Sequence, residues 1–375
     1  MKYFLIAGEL SGDIHGSRLI KYLKQFDTQA QFKFFGGDMM AAQAGEQPIR
    51  HIRDMAFMGA VDILKNLSRI KDNIKTCEKE ILAFAPDVVI LIDYPGFNLK
   101  MARFAKEHGF KVFYYISPKI WAWNKKRAHK IKKYVDKLFV IFPFEKDFYR
   151  KYDYEVEYLG NPTVDEIHEY RQTPFNEEAS YFYSHGLNPQ KPVVAMLPGS
   201  RKQEIKFLLP VMVKVAKKFP DYQFVISGIS LLPRELYDIA GDIPIIWDSS
   251  YDLLSISYAA LVTSGTATLE TALFKVPQVV MYKTAWLQYL IGRLIVRVRF
   301  FSLVNIILGY EAVKELLQYS IVRRATKELS RILSDYKYYR KIQDNYNKLE
   351  KILGPAGVAQ RTAKRIVELL GNTAD

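Results

Sequence analysis

The chain has 375 residues, 49% of them hydrophobic, with 54 basic against 40 acidic side chains and a formal net charge of +14. That length suits two domains, and the positive excess favours anionic partners; charge alone does not choose between phosphorylated small molecules, anionic lipid and nucleic acid. A single cysteine, Cys77, excludes an internal disulfide and a cysteine-based metal cluster, and the six histidines show no metal-ligand spacing.

The opening MKYFLIAGELSGD carries one Lys and a very short apolar run before acidic residues, which is not a signal-peptide pattern. No apolar run approaches the roughly 18 residues of a spanning helix. A soluble or peripheral intracellular protein is expected. Residues 2–7 read as a strand, which breaks at Gly8-Glu9-Leu10-Ser11-Gly12-Asp13 before helical spacing over 15–26. A glycine-bearing turn between strand and helix is where an open sheet places its ligand crevice, although this one is not the dinucleotide fingerprint. Asp13 suits a helix cap; Glu9, inside the turn, is harder to explain structurally. Residues 32–35 predict the next strand. Residues 55–67 are apolar on more than one face and read either as a core helix or as an exposed patch for lipid or a partner.

Residues 87–92, DVVILI, form an unbroken apolar run, the mark of a strand buried on both faces. It ends at Asp93-Tyr94-Pro95-Gly96-Phe97-Asn98. A carboxylate at the end of a central strand lies at the crevice, so Asp93 either caps the following turn or serves as a general base. A strand over 111–116 leads into Ser117-Pro118-Lys119-Ile120-Trp121-Ala122-Trp123. Seven Lys and Arg residues then fall within 125–137. Such a run is either a solvated face or, beside two tryptophans, a surface that meets headgroups or a phosphosugar. A strand over 138–142, a helix opened by Pro143, and 156–159 running into Gly160-Asn161-Pro162 close the first half.

Residues 165–191, with Pro174 and Pro189 as breakers, read as a linker region. A strand over 193–197 then ends in Pro198-Gly199-Ser200, with a helix opening at Arg201. Backbone N–H groups exposed at such a corner, beside a guanidinium, suit phosphate, although a plain strand–helix corner looks the same. Further strands are predicted over 223–227, 243–247, 260–263 and 278–282, a rhythm that argues a second parallel sheet with crossover helices. The loop Thr263-Ser264-Gly265-Thr266-Ala267-Thr268-Leu269-Glu270 again ends a strand in small residues before a helix. With Arg201 on a neighbouring strand end, a nucleotide diphosphate site is the leading reading. Glu270 either accepts from a ribose diol or simply complements the helix dipole. Residues 286–304 combine an apolar helical face with Arg293, Arg297 and Arg299, which suits an anionic membrane surface, core packing or a dimer interface. A short helix is predicted over 311–318, and longer ones over 321–333, 335–352 and 357–370.

Taken together, GELSGD (8–13), DYPGFN (93–98), SPKIWAW (117–123), GNP (160–162), PGSR with Glu204, TSGTATLE (263–270), and Asn305 with ELLQ (315–318) resemble the lipid-A-disaccharide synthase family. The motifs fall in order across nearly the whole chain. The resemblance implies an α/β protein of GT-B fold, two Rossmann-like domains with parallel sheets facing across a cleft. The expected division is 1–165 on the acceptor side, a linker at 166–191, a UDP-sugar-binding domain at 192–355, and a helix at 356–375 crossing back. It implies inverting transfer of 2,3-diacylglucosamine from its UDP form to 2,3-diacylglucosamine 1-phosphate, without a cofactor or metal; no Asp-x-Asp triplet occurs. Asp93 is the expected base, ionised at neutral pH if it keeps a reference pKa of about 4. Arg201, Ser264, Gly265 and Thr266 are expected to hold UDP, Glu270 its ribose, and Asn305, Glu315 and Gln318 to line the donor side. Glu9, Ser11 and Asp13 fall on the opposite lip, and Lys125, Lys126 and Arg127 near the acceptor phosphate. Peripheral association with inner-membrane lipids at the cytoplasmic face and a homodimer exchanging C-terminal segments are expected, and no nucleic acid. The rival readings are another UDP-sugar enzyme on the same scaffold, such as a 2-epimerase or an N-acetylglucosaminyltransferase, and a basic nucleic-acid- or membrane-binding protein that is not an enzyme.

Overall fold

The computed structural model describes residues 1–55, 66–123, 125–173, 178–284 and 299–371. The chain forms two compact units, one of Met1–Asp165 with the C-terminal stretch from Pro355, the other of Glu166–Gly354.

The first unit runs β1 (Lys2–Ala7), α1 (Leu10–Phe26), β2 (Gln31–Gly36), α2 (Asp38–Ala44), β3 (Arg50–His51), α3 (Leu67–Phe84), β4 (Val88–Ile92), α4 (Pro95–Glu107), β5 (Lys111–Tyr115), α5 (Ile120–Trp123), α6 (Arg127–Tyr134), β6 (Lys137–Val140), α7 (Phe144–Arg150) and β7 (Glu157–Tyr158). Its strands are all parallel, in the order β3-β2-β1-β4-β5-β6-β7. The apolar run at 88–92 is explained by its two destinations. Val88, Ile90 and Ile92 pack with Leu19, Ile20 and Leu23 of α1, whereas Val89 and Leu91 pack with Cys77, Ile81 and Met101 from α3 and α4. Both faces are therefore dry, and each fully buried Leu or Ile contributes about 1.5–3 kcal/mol relative to exposure. The chain returns to this unit as α16 (Val358–Gly371), whose Ala363 and Ile366 join the α1 side of the core. Asp165 caps its start, accepting from Gly357 N at 2.7 Å, Val358 N at 3.0 Å and Ala359 N at 3.0 Å.

The second unit takes up the chain within α8 (Pro162–Gln172), followed by α9 (Glu178–Ser184). Then come β8 (Val193–Leu197), α10 (Lys202–Ala216), β9 (Gln223–Gly228), β10 (Ile245–Trp247), α11 (Ser250–Ser255), β11 (Ser257–Thr263), α12 (Thr266–Leu273), β12 (Gln278–Tyr282), α13 (Leu303–Leu308), β13 (Lys314–Leu317), α14 (Ile321–Ser334) and α15 (Tyr336–Leu353). Its strands too are all parallel, in the order β10-β9-β8-β11-β12-β13.

In each sheet the strand order reverses direction once, between β1 and β4 and between β8 and β11. A doubly wound sheet binds its ligand at such a switch point, beyond the carboxyl ends of the strands. The loops found there are 8–9 with 93–94, and 198–201 with 264–265. These are the glycine- and carboxylate-bearing loops singled out in the sequence.

Two local expectations are corrected. The helix predicted over 311–318 is the edge strand β13, because Lys314 to Leu317 pair in parallel with Val279 to Tyr282 and this ladder outweighs the helical preference of KELL. The turn after β1 is also shorter than expected: α1 begins at Leu10, so Ser11, Gly12 and Asp13 occupy its first turn. The apolar segment at 55–67, apart from its ends, and the part of 286–304 that precedes residue 299 lie outside the described residues.

Candidate active site

Asp93 follows β4 on a turn of unusual backbone. Asp93 and Tyr94 both have positive φ, 43° and 47°, a left-handed pair that non-glycine residues adopt only when their surroundings hold them there. The restraints are identifiable. Asp93 N donates to Tyr115 O at 3.2 Å, extending the β4–β5 pairing by one residue. The Asp93 carbonyl accepts from the Tyr114 hydroxyl at 2.6 Å and from Asn98 Nδ2 at 2.8 Å. Asn98, fully buried, also donates to Ile6 O at 3.3 Å and Ile92 O at 3.2 Å, tying together the two strands that flank the switch point. Tyr94 is fixed through its hydroxyl, which donates to Met55 O at 2.7 Å. The backbone is thus anchored on every side, while the Asp93 side chain stays half-buried rather than sealed in the core.

Burial raises the Asp93 carboxyl above its ordinary value; the Lys119 ammonium opposes this, Glu9 adds to it, and a hydrogen bond with the Tyr94 backbone lowers it. The expectation of an unperturbed carboxylate is therefore corrected. A base with a raised pKa holds a proton more firmly once it has taken one, which suits proton abstraction. Lys119 reaches this group because the segment after β5 starts beside Asp93 N.

The remaining residues of the first unit divide. Glu9 and Ser11 are exposed at the start of α1, on the loop adjoining Asp93. Asp13 is corrected: it is buried, and its carboxylate accepts from Gly37 N at 2.7 Å, Met40 N at 3.1 Å and Met39 N at 3.1 Å. It caps α2, and its oxygens are taken up by those backbone donors. Lys125 and Lys126 are exposed ahead of α6 and Arg127 is half-buried at its first position, while Ala128 and Ile131 of that helix face the core.

In the second unit, Gly199 has φ 115°, and a Cβ there would lie 2.5 Å from Glu204 Oε2. That close approach lets Glu204 accept from Ser200 N at 3.0 Å and Arg201 N at 3.2 Å, fixing the corner. Arg201 itself is exposed, its guanidinium 3.3 Å from Glu204 Oε1. Across the switch point, Gly265 and Thr266 are exposed at the start of α12, and Gly265 makes no side-chain cap. Free N–H groups at a helix start attract anions. Ser264 donates to Phe301 O at 2.7 Å. Glu270 stands one turn into α12, its carboxyl pushed up to about 7 by burial and by Glu166, against the hydrogen bond from Tyr251.

Asn305, Glu315 and Gln318 are all committed to shaping the chain. Glu315 accepts from Phe301 N at 3.0 Å, Ser302 N at 2.8 Å and Asn305 Nδ2 at 2.8 Å. Asn305 Oδ1 accepts from Ala312 N at 2.7 Å and Val313 N at 3.0 Å. Gln318 exchanges two hydrogen bonds with the Thr284 backbone, at 3.2 and 2.8 Å. Together they hold the 299–318 segment in place beside Ser264. Sequence reasoning did not single out Tyr114, Lys119, Glu166 or Tyr251. Lys119 lay within a quoted motif; the others come from distant segments and carried no local signal.

Two doubly wound parallel sheets in one chain, one with a carboxylate and the other with two loops of small residues at its switch point, define an α/β protein of GT-B fold. The UDP-GlcNAc 2-epimerase of Neisseria meningitidis, solved bound to UDP-GlcNAc, matches with a TM-score of 0.70 at 14% identity, covering 99% of this chain and 100% of that one. The calicheamicin glycosyltransferase CalG4 matches with a TM-score of 0.60 at 14% identity, over 100% of this chain and 99% of that one. At such identities the likeness is one of fold alone. Sequence decides further: the family model described as lipid-A-disaccharide synthetase matches residues 3–364. The lipid-A-disaccharide synthase of Geobacter sulfurreducens is 36% identical over 380 residues, 99% of this chain and 97% of that protein. The chain belongs to the lipid-A-disaccharide synthase family and is a glycosyltransferase of lipid A biosynthesis. The rival readings, an epimerase and a non-enzymatic basic protein, gain no support over this one.

Proposed function

We propose that the enzyme transfers 2,3-diacylglucosamine from UDP-2,3-diacylglucosamine to the 6-hydroxyl of 2,3-diacylglucosamine 1-phosphate, with inversion. The observation that carries this reading is the placement of Asp93, a half-buried carboxylate of raised pKa on a left-handed turn at a switch point. Asp93 takes the proton of the acceptor hydroxyl as its oxygen bonds to the anomeric carbon, while the bond from that carbon to the diphosphate breaks and UDP departs with the electron pair. Arg201 and the α12 start at Gly265 and Thr266 take up the charge developing on UDP, and Glu270 accepts from the ribose hydroxyls. Asn305, Glu315 and Gln318 act on the donor side through the segment they shape. Glu9 and Ser11 adjoin the acceptor, and Lys125, Lys126 and Arg127 meet its phosphate.

Incubating the protein with both substrates and analysing the product by mass spectrometry tests the reaction: a tetraacyl disaccharide 1-phosphate supports it, and its absence sinks it. Asp93→Ala is expected to bind UDP normally and turn over ~10²–10⁴-fold more slowly, the usual worth of a general base. Full activity in that variant removes Asp93 from the role. The +14 charge and the lipid substrates favour peripheral attachment to the anionic inner membrane, tested by sedimentation with anionic vesicles. A homodimer exchanging C-terminal segments is tested by light scattering on the wild type and on a chain cut before Pro355.

A further inference from the structure

One turn into α12, three side chains from three helices meet. The Tyr251 hydroxyl of α11 lies 3.3 Å from Glu270 Oε1 of α12 and 3.4 Å from Glu166 Oε2 of α8. The phenol ring is held by packing. Its centroid is 5.5 Å from that of Tyr170, edge to face, and 5.2 Å from that of Phe274. Tyr170 is itself fixed by donating to Asp252 at 2.7 Å, and Arg171 lies over Phe274 while donating to Leu273 O at 2.7 Å. The hydroxyl therefore has one place to be, and one proton to give to either of two carboxylates.

Thr266 and Glu270 are four residues apart on one helix and share a face. A nucleotide whose diphosphate sits on the α12 start directs its ribose along that face toward Glu270. For a carboxylate to accept from the diol, its rotamer must be fixed with one oxygen turned forward. Left alone, a Glu on a short helix samples several rotamers.

We propose that Tyr251 is a positioning residue for nucleotide selection: by holding Glu270 Oε1 from behind it turns the other oxygen toward the ribose, and so sets the preference for ribo- over 2′-deoxyribonucleotides. Glu166 is the competing acceptor for the same hydroxyl. The inference rests on the reading of Glu270 as the ribose carboxylate, and the test separates the two.

Affinities for UDP and 2′-deoxy-UDP are measured by calorimetry on the wild type, Tyr251→Phe, Glu166→Gln and Glu270→Met, the last keeping the side chain's length while removing its carboxylate oxygens. Phenylalanine keeps the ring that packs against Tyr170 and Phe274, so the fold is retained. The wild type is expected to prefer UDP by roughly ten- to hundredfold, the worth of a hydrogen bond to a charged group. Tyr251→Phe should bring the two affinities within about threefold, mainly by weakening UDP, with 2′-deoxy-UDP serving as the internal control for site integrity. Glu166→Gln should keep or sharpen the preference, because its amide donates to the phenol oxygen and leaves the phenol proton to Glu270. If Glu270→Met loses the preference while Tyr251→Phe keeps it, the positioning role is overturned and the ribose reading stands. If Glu270→Met keeps it as well, or the wild type does not distinguish the two nucleotides, the ribose reading falls and the inference with it.

Discussion

The ring of Tyr94 lies directly over Gly8, so that a Cβ on Gly8 would come within 2.3 Å of Tyr94 Cδ1. This contact joins the loop after β1 to the loop after β4 across the switch point, and Tyr94 is the residue that follows Asp93. Gly8→Ala must therefore displace the Tyr94 ring, and with it the left-handed turn that carries the carboxylate. Overpacking of this kind costs about 1–3 kcal/mol. The variant should show a lowered Tm and at least a tenfold loss of turnover, on the order expected when a reacting group is misplaced by about 1 Å. A variant with wild-type turnover would mean that the position of Asp93 does not depend on the Tyr94 ring.

The charges around Asp93 predict the pH profile. Burial raises its pKa and Lys119 lowers it, so the acid limb of kcat/KM should lie above that of an ordinary aspartate. Removing the ammonium in Lys119→Ala should move that limb to still higher pH, because the ionised form loses its nearest compensating charge. Glu9→Gln should move it the opposite way, since Glu9 raises the pKa. Opposite shifts in two variants on either side of one group are not produced by general damage. Coincident profiles for wild type, Lys119→Ala and Glu9→Gln would show that another group sets the limb.

The legible part of this protein was its rhythm. Apolar runs such as 88–92 and 193–197 bury on both faces and end in small or acidic residues, a pattern fixed by local chain geometry. The loops that matter could be located because a strand end in a parallel sheet is itself the ligand-facing edge. What could not be read was which polar residues the fold keeps for itself. Asp13 and Glu9 lie four residues apart in one motif, yet the first caps α2 and the second is exposed. The difference depends on where Gly37 arrives in space, which no local pattern reports. Likewise 314–317 is helical in composition and becomes a strand because the β12 edge offers a ladder.

Glu145 makes the clearest stability prediction. It is fully buried in α7, accepting from Ile141 N at 3.1 Å and Phe142 N at 3.0 Å. Burial pushes its carboxyl up to about 7, with those backbone bonds, the Trp121 indole and Lys119 opposing the shift. The folded pKa is thus above the unfolded one, so the folded state holds the proton more tightly. This stabilisation is complete below the unfolded value of about 4.3 and is lost as pH rises through about 7. The loss is on the order of a few kcal/mol. Glu145→Gln cannot ionise, and its Tm should fall less than that of the wild type between about pH 5 and pH 8. Parallel curves would show that Glu145 ionises as readily folded as unfolded.

Glu315 allows the shaping and contact roles on the donor side to be told apart. Its carboxylate gathers Phe301 N, Ser302 N and Asn305 Nδ2, and Asn305 in turn holds Ala312 N and Val313 N. Glu315→Ala leaves Phe301 N and Ser302 N without this acceptor and Asn305 Nδ2 with Val313 O alone, at a cost of roughly 1–3 kcal/mol for each lost partner that water does not replace. The 299–318 segment should then loosen, and hydrogen exchange at the amides of 301 and 302 should speed by at least tenfold. Ser264, which donates to Phe301 O at 2.7 Å, links that loosening to the loop that opens α12, so on the proposed reading UDP affinity should weaken together with the exchange protection. A glutamine side chain would still accept from the backbone but carry no charge, and Glu315→Gln should recover most of both. Weakened UDP binding in Glu315→Ala with unchanged exchange would instead mark Glu315 as a direct ligand contact, because a side chain that only touches the nucleotide has no reason to protect the amides of 301 and 302.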